Sequence, residues 1–208
     1  MFLPRVTRIW YTHWSGADLQ DEGQTANDGP RITAVPVMVL YSLMGGIAYG
    51  LGFWLADRNV FFWHDMYGTT LPVHVAVGAG CGLAVVALSR VLERAFAWAR
   101  ELGDAMGELL GKLDSRTILV VAVFSALGEE MLFRGLLQPS IGLVWSSLIF
   151  GLLHVGPGRR YIPWTVMAVG MGFAFGGMFF YTGNLLAPIL AHFTINYFNL
   201  HAIARQHS

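Results

Sequence analysis

The sequence predicts an all-α fold, a polytopic transmembrane helical bundle of about six spanning helices with one amphipathic helix at the membrane interface. Three observations lead there. Hydrophobic residues make up 55% of the 208 and charged residues only 12%; the mean hydropathy is +0.53, outside the ordinary range of soluble domains. Apolar stretches close to the roughly 20 residues that cross a bilayer recur six times, at about 36–56, 71–92, 117–137, 140–157, 162–182 and 184–203. Between the second and third, in Glu93 to Arg116, Ala95, Trp98, Leu102, Met106, Leu109 and Leu113 recur at three- and four-residue spacing among charges, the pattern of a helix lying on a surface.

Taken in chain order, residues 1–35 form a polar or interfacial segment. It carries Arg5, Arg8, Trp10, Tyr11 and Trp14, then a polar stretch from Ser15 to Arg31, without the continuous apolar core of a cleavable signal peptide. The first spanning helix is therefore expected to target the chain itself. Residues 36–116 supply two spanning helices and the amphipathic helix. Residues 117–203 supply four more spans, punctuated by Pro139, Gly156-Pro157-Gly158, Gly183 and Pro188. With the amino terminus in the cytoplasm, every Lys and Arg except Arg58 and Arg134 falls on the inner side, so both termini are expected inside. A simple hairpin of the third and fourth spans then leaves Glu129 and His154 at depths differing by on the order of 10 Å. Either those helix limits are wrong or the chain around Gly135–Ile141 is irregular.

The formal net charge is zero and no Lys/Arg block occurs, which excludes a nucleic-acid partner. Cys81 stands alone in an apolar stretch and reads as a small packing residue. Gly46-x-x-x-Gly50, Gly78-x-x-x-Gly82 and Gly172-x-x-x-Gly176 have the small-residue spacing of close helix contacts, read as intramolecular packing.

Chemistry enters at three polar stations. Glu129 and Glu130 stand together inside the third apolar run, with Arg134 one turn later. Insertion scales put each charge at roughly 2.5–3.5 kcal/mol at the centre of a spanning helix, so the trio needs a compensating role. Glu130 and Arg134 share a helical face and suit a charge-assisted pair. Glu129 points about 100° away, desolvated and beside a like charge, as a general base for water. An ion-pair staple between helices needs one acid, not two. Two further apolar segments each carry a histidine, in Phe150-x-x-x-His154 and His192-x-x-x-Asn196. His154 alone would read as a hydrogen-bonded core residue; beside the others it gains weight. His192 and Asn196 lie one turn apart and offer donors to a developing oxyanion. Together the stations equip one cavity for attack of water on an amide.

Glu129-Glu130-x-x-x-Arg134, Phe150-x-x-x-His154 and His192-x-x-x-Asn196, in this order on successive apolar helices, resemble the three signature motifs of the CPBP family. That family comprises type II CAAX prenyl proteases and the bacteriocin-processing or self-immunity (Abi) proteins. The resemblance implies a multi-pass intramembrane endopeptidase, expected in a bacterial plasma membrane and acting on a membrane protein or peptide, possibly lipidated. It gives Glu129 the activation of water, Glu130 and Arg134 its support, and His154, His192 and Asn196 the scissile carbonyl. Catalysis without a cofactor is expected. Zinc held by Glu129, His154 and His192 is the alternative, since three ligands and a water make a catalytic zinc site, although no HExxH pair is present. A non-catalytic immunity protein that binds a peptide, or a proton-coupled transporter, are the readings from other classes. The depth of Glu129 and His192 points to the outer half of the membrane, which suits a substrate other than a CAAX tail.

Overall fold

In the computed structural model, residues 33–62 and 67–206 are described, and among them the chain is helical without a strand. Most of the polar segment expected over residues 1–35 lies outside the described residues. The elements are α1 (Ala34–Ala56), α2 (Leu71–Ala95), α3 (Ala97–Leu110), α4 (Ser115–Glu130), a π-helical stretch Met131–Leu137, α5 (Gln138–Leu152), a single 3₁₀ turn Arg159–Tyr161, α6 (Ile162–Thr182) and α7 (Leu186–Gln206). The main packings set α2 along α7, α5 along α6, and both α1 and α7 along α4. Stretches Ala34–Trp54, Leu71–Ala95 and Arg159–Thr182 are long and apolar enough to cross a membrane by length and composition alone. The other expected spans are not among these: α4 has 16 residues before its turn widens, α5 has 15, and α7 carries His192, Asn196, Asn199 and His201. With three such stretches the protein is a membrane protein.

Two of the three glycine pairs pack within the chain. A Cβ on Gly78 would stand 2.5 Å from the Ala187 carbonyl oxygen, and one on Gly82 2.7 Å from Thr194 Cβ, so α2 and α7 meet backbone to backbone. Gly172 abuts Ser147, and Gly176 abuts Leu143 and Gln138. A Cβ on Gly46 or Gly50 would meet no atom of another helix within 4 Å among the described residues. Cys81 packs against the cluster of Phe175, Met178, Ala187 and Ala191.

The amphipathic helix is shorter than its periodicity predicts. Helix α2 runs on to Ala95, and extended backbone at Phe96 separates it from α3. Arg100 then donates to the carbonyls of Glu93 and Arg94 at the end of α2, and Ala105 accepts from the Tyr161 hydroxyl at 2.8 Å. With Arg160 paired to Glu108 at 2.7 Å, α3 is fixed across the end of the bundle where α2 finishes and α6 begins. At the opposite end His74 Nδ1 accepts from Asn184 Nδ2 at 2.9 Å, and the Thr69 hydroxyl meets its Nε2 at 2.8 Å. These contacts tie the start of α2 to the turn before α7.

The limits of the third and fourth spans differ from the sequence expectation, and the difference removes the depth mismatch. The third span does not stop before Pro139. The turn widens to π geometry, with Gln138 N–H bonded to Phe133 O five residues back, and the helix carries on until Gly142. There φ is +86° and ψ 163°, a conformation open to glycine and costly for an L side chain. Glu129 lies thirteen residues before this break and His154 twelve after it, so at about 1.5 Å per residue the two stand level.

Candidate active site

Helix α4 begins at Asp114, whose carboxylate accepts from the Thr117 N–H at 2.6 Å; that bond holds the exposed Asp114 carboxyl below the ordinary carboxylate range. One helix length on, Glu129 and Glu130 are both buried, Glu130 completely. Glu130 Oε1 takes two donors, Arg134 Nη1 at 3.1 Å and His192 Nδ1 at 2.8 Å. Arg134 is itself 1% exposed. Its Nη2 donates to the Gly172 carbonyl at 3.2 Å, and its guanidinium carbon lies 4.3 Å from the Phe150 ring centroid and 5.2 Å from that of Phe175. Aromatic faces thus supply part of what water would give a buried cation. The π turn begins directly after Glu130 and contains Arg134, the local irregularity that often marks functional helices.

The two histidines are held by the same nitrogen and present the same nitrogen. His154 Nδ1–H donates to the Phe150 carbonyl at 2.7 Å, and His192 Nδ1–H donates to Glu130. Their Nε2 atoms both face Glu129 Oε2, at 3.7 Å and 3.9 Å respectively. Glu129 Oε2 has no hydrogen-bond partner among the described residues. Ring packing fixes the imidazoles: His192 stacks on Phe175 with centroids 5.1 Å apart, and His154 meets Trp164 edge-on. Asn196 lies one turn beyond His192 and donates from Nδ2 to Ser125 Oγ at 2.9 Å. A primary amide has two such hydrogens, so one remains for another acceptor.

All six residues expected from the sequence are therefore brought into one region: Glu129, Glu130, Arg134, His154 and His192 are linked through these contacts, and Asn196 lines a cavity with His154 and His192. The cavity, of about 360 Å³, is predominantly apolar and extends between α2, α3, α6 and α7 past Leu102, Trp164 and Met171 to Glu93 and Asn199. Glu93 is held there by Arg90, which also donates to Asn199. The cavity thus reaches the end of the bundle that α3 covers.

Sequence reasoning missed Tyr41 of α1, whose backbone and Cβ pack against Gly128, one residue before Glu129. The three ligands of the zinc alternative, Glu129, His154 and His192, come together with both Nε2 atoms 3.7 and 3.9 Å from Glu129 Oε2, and among the described residues no group of three His, Cys, Asp or Glu side chains is close enough to hold a metal ion.

Residues 113–198, which hold every one of the six, match the family model described as type II CAAX prenyl endopeptidase Rce1-like. That match, to the CPBP/CAAX protease family, begins just ahead of α4 and ends within α7, leaving α1 to α3 outside it. The chain is also 44% identical over 97 residues to a protein of Bacillus subtilis (strain 168) described as "Uncharacterized protein YpbD"; the aligned part is 45% of this chain and 49% of that relative. The chain thus spans about half the length of the curated relative it matches. No solved structure matches.

Proposed function

We propose that this protein is an intramembrane endopeptidase that hydrolyses a peptide bond of a membrane-associated protein or peptide with water activated by Glu129, without a metal. The observation that carries the reading is the meeting of Glu129 Oε2, a buried acceptor with no partner among the described residues, with the Nε2 atoms of His154 and His192. Three acceptors converging on one point suit a water molecule, which donates its two hydrogens to Glu129 and His154. Glu129 takes one proton as the water oxygen bonds to the carbonyl carbon, and His154 orients the water through its bare Nε2. The carbonyl oxygen becomes an oxyanion, held by the free N–H of Asn196 and by His192 once its Nε2 has taken up the proton from Glu129. Glu130, bonded to Nδ1 of His192, stabilises that protonated ring. Collapse breaks the C–N bond, and the same proton passes from His192 to the leaving amine.

The cavity adds to the reading of substrate and side. Its walls are apolar and it runs toward α3, the end that gathers Arg90, Arg94, Arg100, Arg159 and Arg160. By the positive-inside rule that end is cytoplasmic. Access from there suits a membrane-associated substrate of the CAAX kind, in contrast to the outer-half placement expected from depth alone. The chain is multi-pass on this reading and sits in a bacterial plasma membrane.

The deciding assay is cleavage of an internally quenched peptide ending in a farnesylated CAAX sequence by purified protein in detergent, with product masses locating the cut. Glu129-dependent cleavage is the expected result. A protein that binds the peptide without cutting it would replace the protease reading by that of a binding protein. Two results should follow in an active preparation. Asn196→Ala lowers kcat by about 10²–10³, the cost of one oxyanion donor, and leaves KM little changed. Treatment with a strong chelator, verified by metal analysis, leaves the rate unchanged. Activity that disappears with stoichiometric zinc and returns on its addition would overturn metal-free catalysis, since bound zinc lowers the pKa of water to about 7.

A further inference from the structure

Two hydrogen bonds join α4 to α7 close to the base. His192 Nδ1–H donates to Glu130 Oε1 at 2.8 Å, and Asn196 Nδ2 donates to Ser125 Oγ at 2.9 Å. Four residues separate the donors on α7 and five separate the acceptors on α4, in the opposite chain direction. At about 1.5 Å per residue the two bonds are therefore rungs between helices that run antiparallel here. Ser125 is 2% exposed, which shields its bond to Asn196 from competing water. It also lies one turn before Glu129 on α4, on the helical face that carries the base. Asn196 lines the cavity beside His154 and His192.

We infer that Ser125 is a positioning residue for the oxyanion donor: by holding one N–H of Asn196, it aims the other at the carbonyl oxygen of the substrate. The inference rests on the protease reading and adds to it a side chain that acts only through Asn196. The torsion that turns an asparagine amide is broad and roughly two-fold. An untethered Asn196 would therefore also present its own carbonyl oxygen to the oxyanion and repel it. Both hydrogens of a primary amide sit on one nitrogen, in the amide plane, so fixing one against Ser125 fixes the direction of the second. An oxyanion donor contributes most when it is aimed before charge develops and needs no reorganisation at that moment. Because Ser125 and Glu129 belong to one helix, base and donor are set from the same frame, the base directly and the donor through the serine hydroxyl. His192 keeps its own bond to Glu130 and its stacking on Phe175, so loss of the serine hydroxyl releases the amide and leaves the imidazole in place.

Ser125→Ala is the test, since alanine suits a helix and the change removes only the hydroxyl. With the quenched farnesylated peptide, kcat should fall about tenfold with KM little changed, a smaller loss than removal of the donor itself. The same substitution made in Asn196→Ala should cost nothing further, because a residue that acts through another loses its effect when that other is gone. A kcat unchanged by Ser125→Ala, an equal fall in both backgrounds, or a rise in KM at constant kcat would overturn the inference. Nuclear magnetic resonance needs no activity. In protein isotope-labelled at asparagine, the side-chain amide signals that vanish in Asn196→Ala belong to Asn196, and in Ser125→Ala they should move upfield as the hydrogen loses its acceptor. Unmoved signals would also overturn the inference. Signals that move in a protein that cleaves nothing would leave the Ser125–Asn196 tether standing and sink the protease reading instead.

Discussion

Glu129→Gln should lower kcat for peptide cleavage by about 10²–10⁴, the range for loss of a positioned general base, with KM nearly unchanged. Glutamine has the shape of glutamate, so the packing of α1 on α4 survives. What disappears is the capacity to take a proton from water at Oε2, the atom that faces both histidines. Glu130→Gln offers the contrast. That carboxylate is fully buried and already committed to Arg134 and His192, so its loss should act through the stability of the fold and the setting of His192. The assay is steady-state cleavage by both purified variants with helical content checked by circular dichroism. Full activity in Glu129→Gln would refute the base assignment. A folded Glu130→Gln with the larger kcat loss would show that the two acids had been given each other's roles.

What could be read from the sequence was set by cost. Glu129, Glu130 and Arg134 in an apolar run are too expensive to be incidental, and four-residue spacing alone put Glu130 with Arg134 and Asn196 one turn after His192. Each of these rests on local helix geometry, which survives tertiary context. The level of Glu129 with His154 rests on where a helix stops, and here two local signals misled. Pro139 marks an end in an ordinary α-helix because its ring clashes with the preceding turn and its nitrogen cannot donate. The π widening at Met131–Leu137 carries the chain through it, and the break falls instead at Gly142. Similarly, continuous three- and four-residue spacing over Glu93 to Arg116 hid the extended residue Phe96. The approach of Tyr41 in α1 to Gly128 lies beyond such reading altogether, being a long-range contact that no periodicity in α1 records.

Arg134→Met should destabilise the protein by about 3–5 kcal/mol, the cost of removing one partner of a buried ion pair. Arg134 and Glu130 have side chains 1% and 0% exposed, so water cannot replace the guanidinium, and Glu130 keeps His192 alone as its donor. Methionine fills the ring-lined space between Phe133, Phe150 and Phe175 without a charge and packs well on aromatic edges, so the loss is assigned to the stranded carboxylate and not to a cavity. Adding Glu130→Gln should therefore recover most of the stability, because a neutral amide is cheaper to bury than a charge. It should not recover turnover, since His192 Nδ1 then bonds a neutral acceptor that stabilises its protonated ring far less. Stability and catalysis come apart in the double variant: near wild-type resistance to unfolding, measured by denaturation in bicelles, with cleavage still depressed. A single Arg134→Met variant that loses less than about 1 kcal/mol would mean that Glu130 is neutral in the folded protein, and Arg134 would then serve the site through its bond to the Gly172 carbonyl and its aromatic contacts instead of through charge.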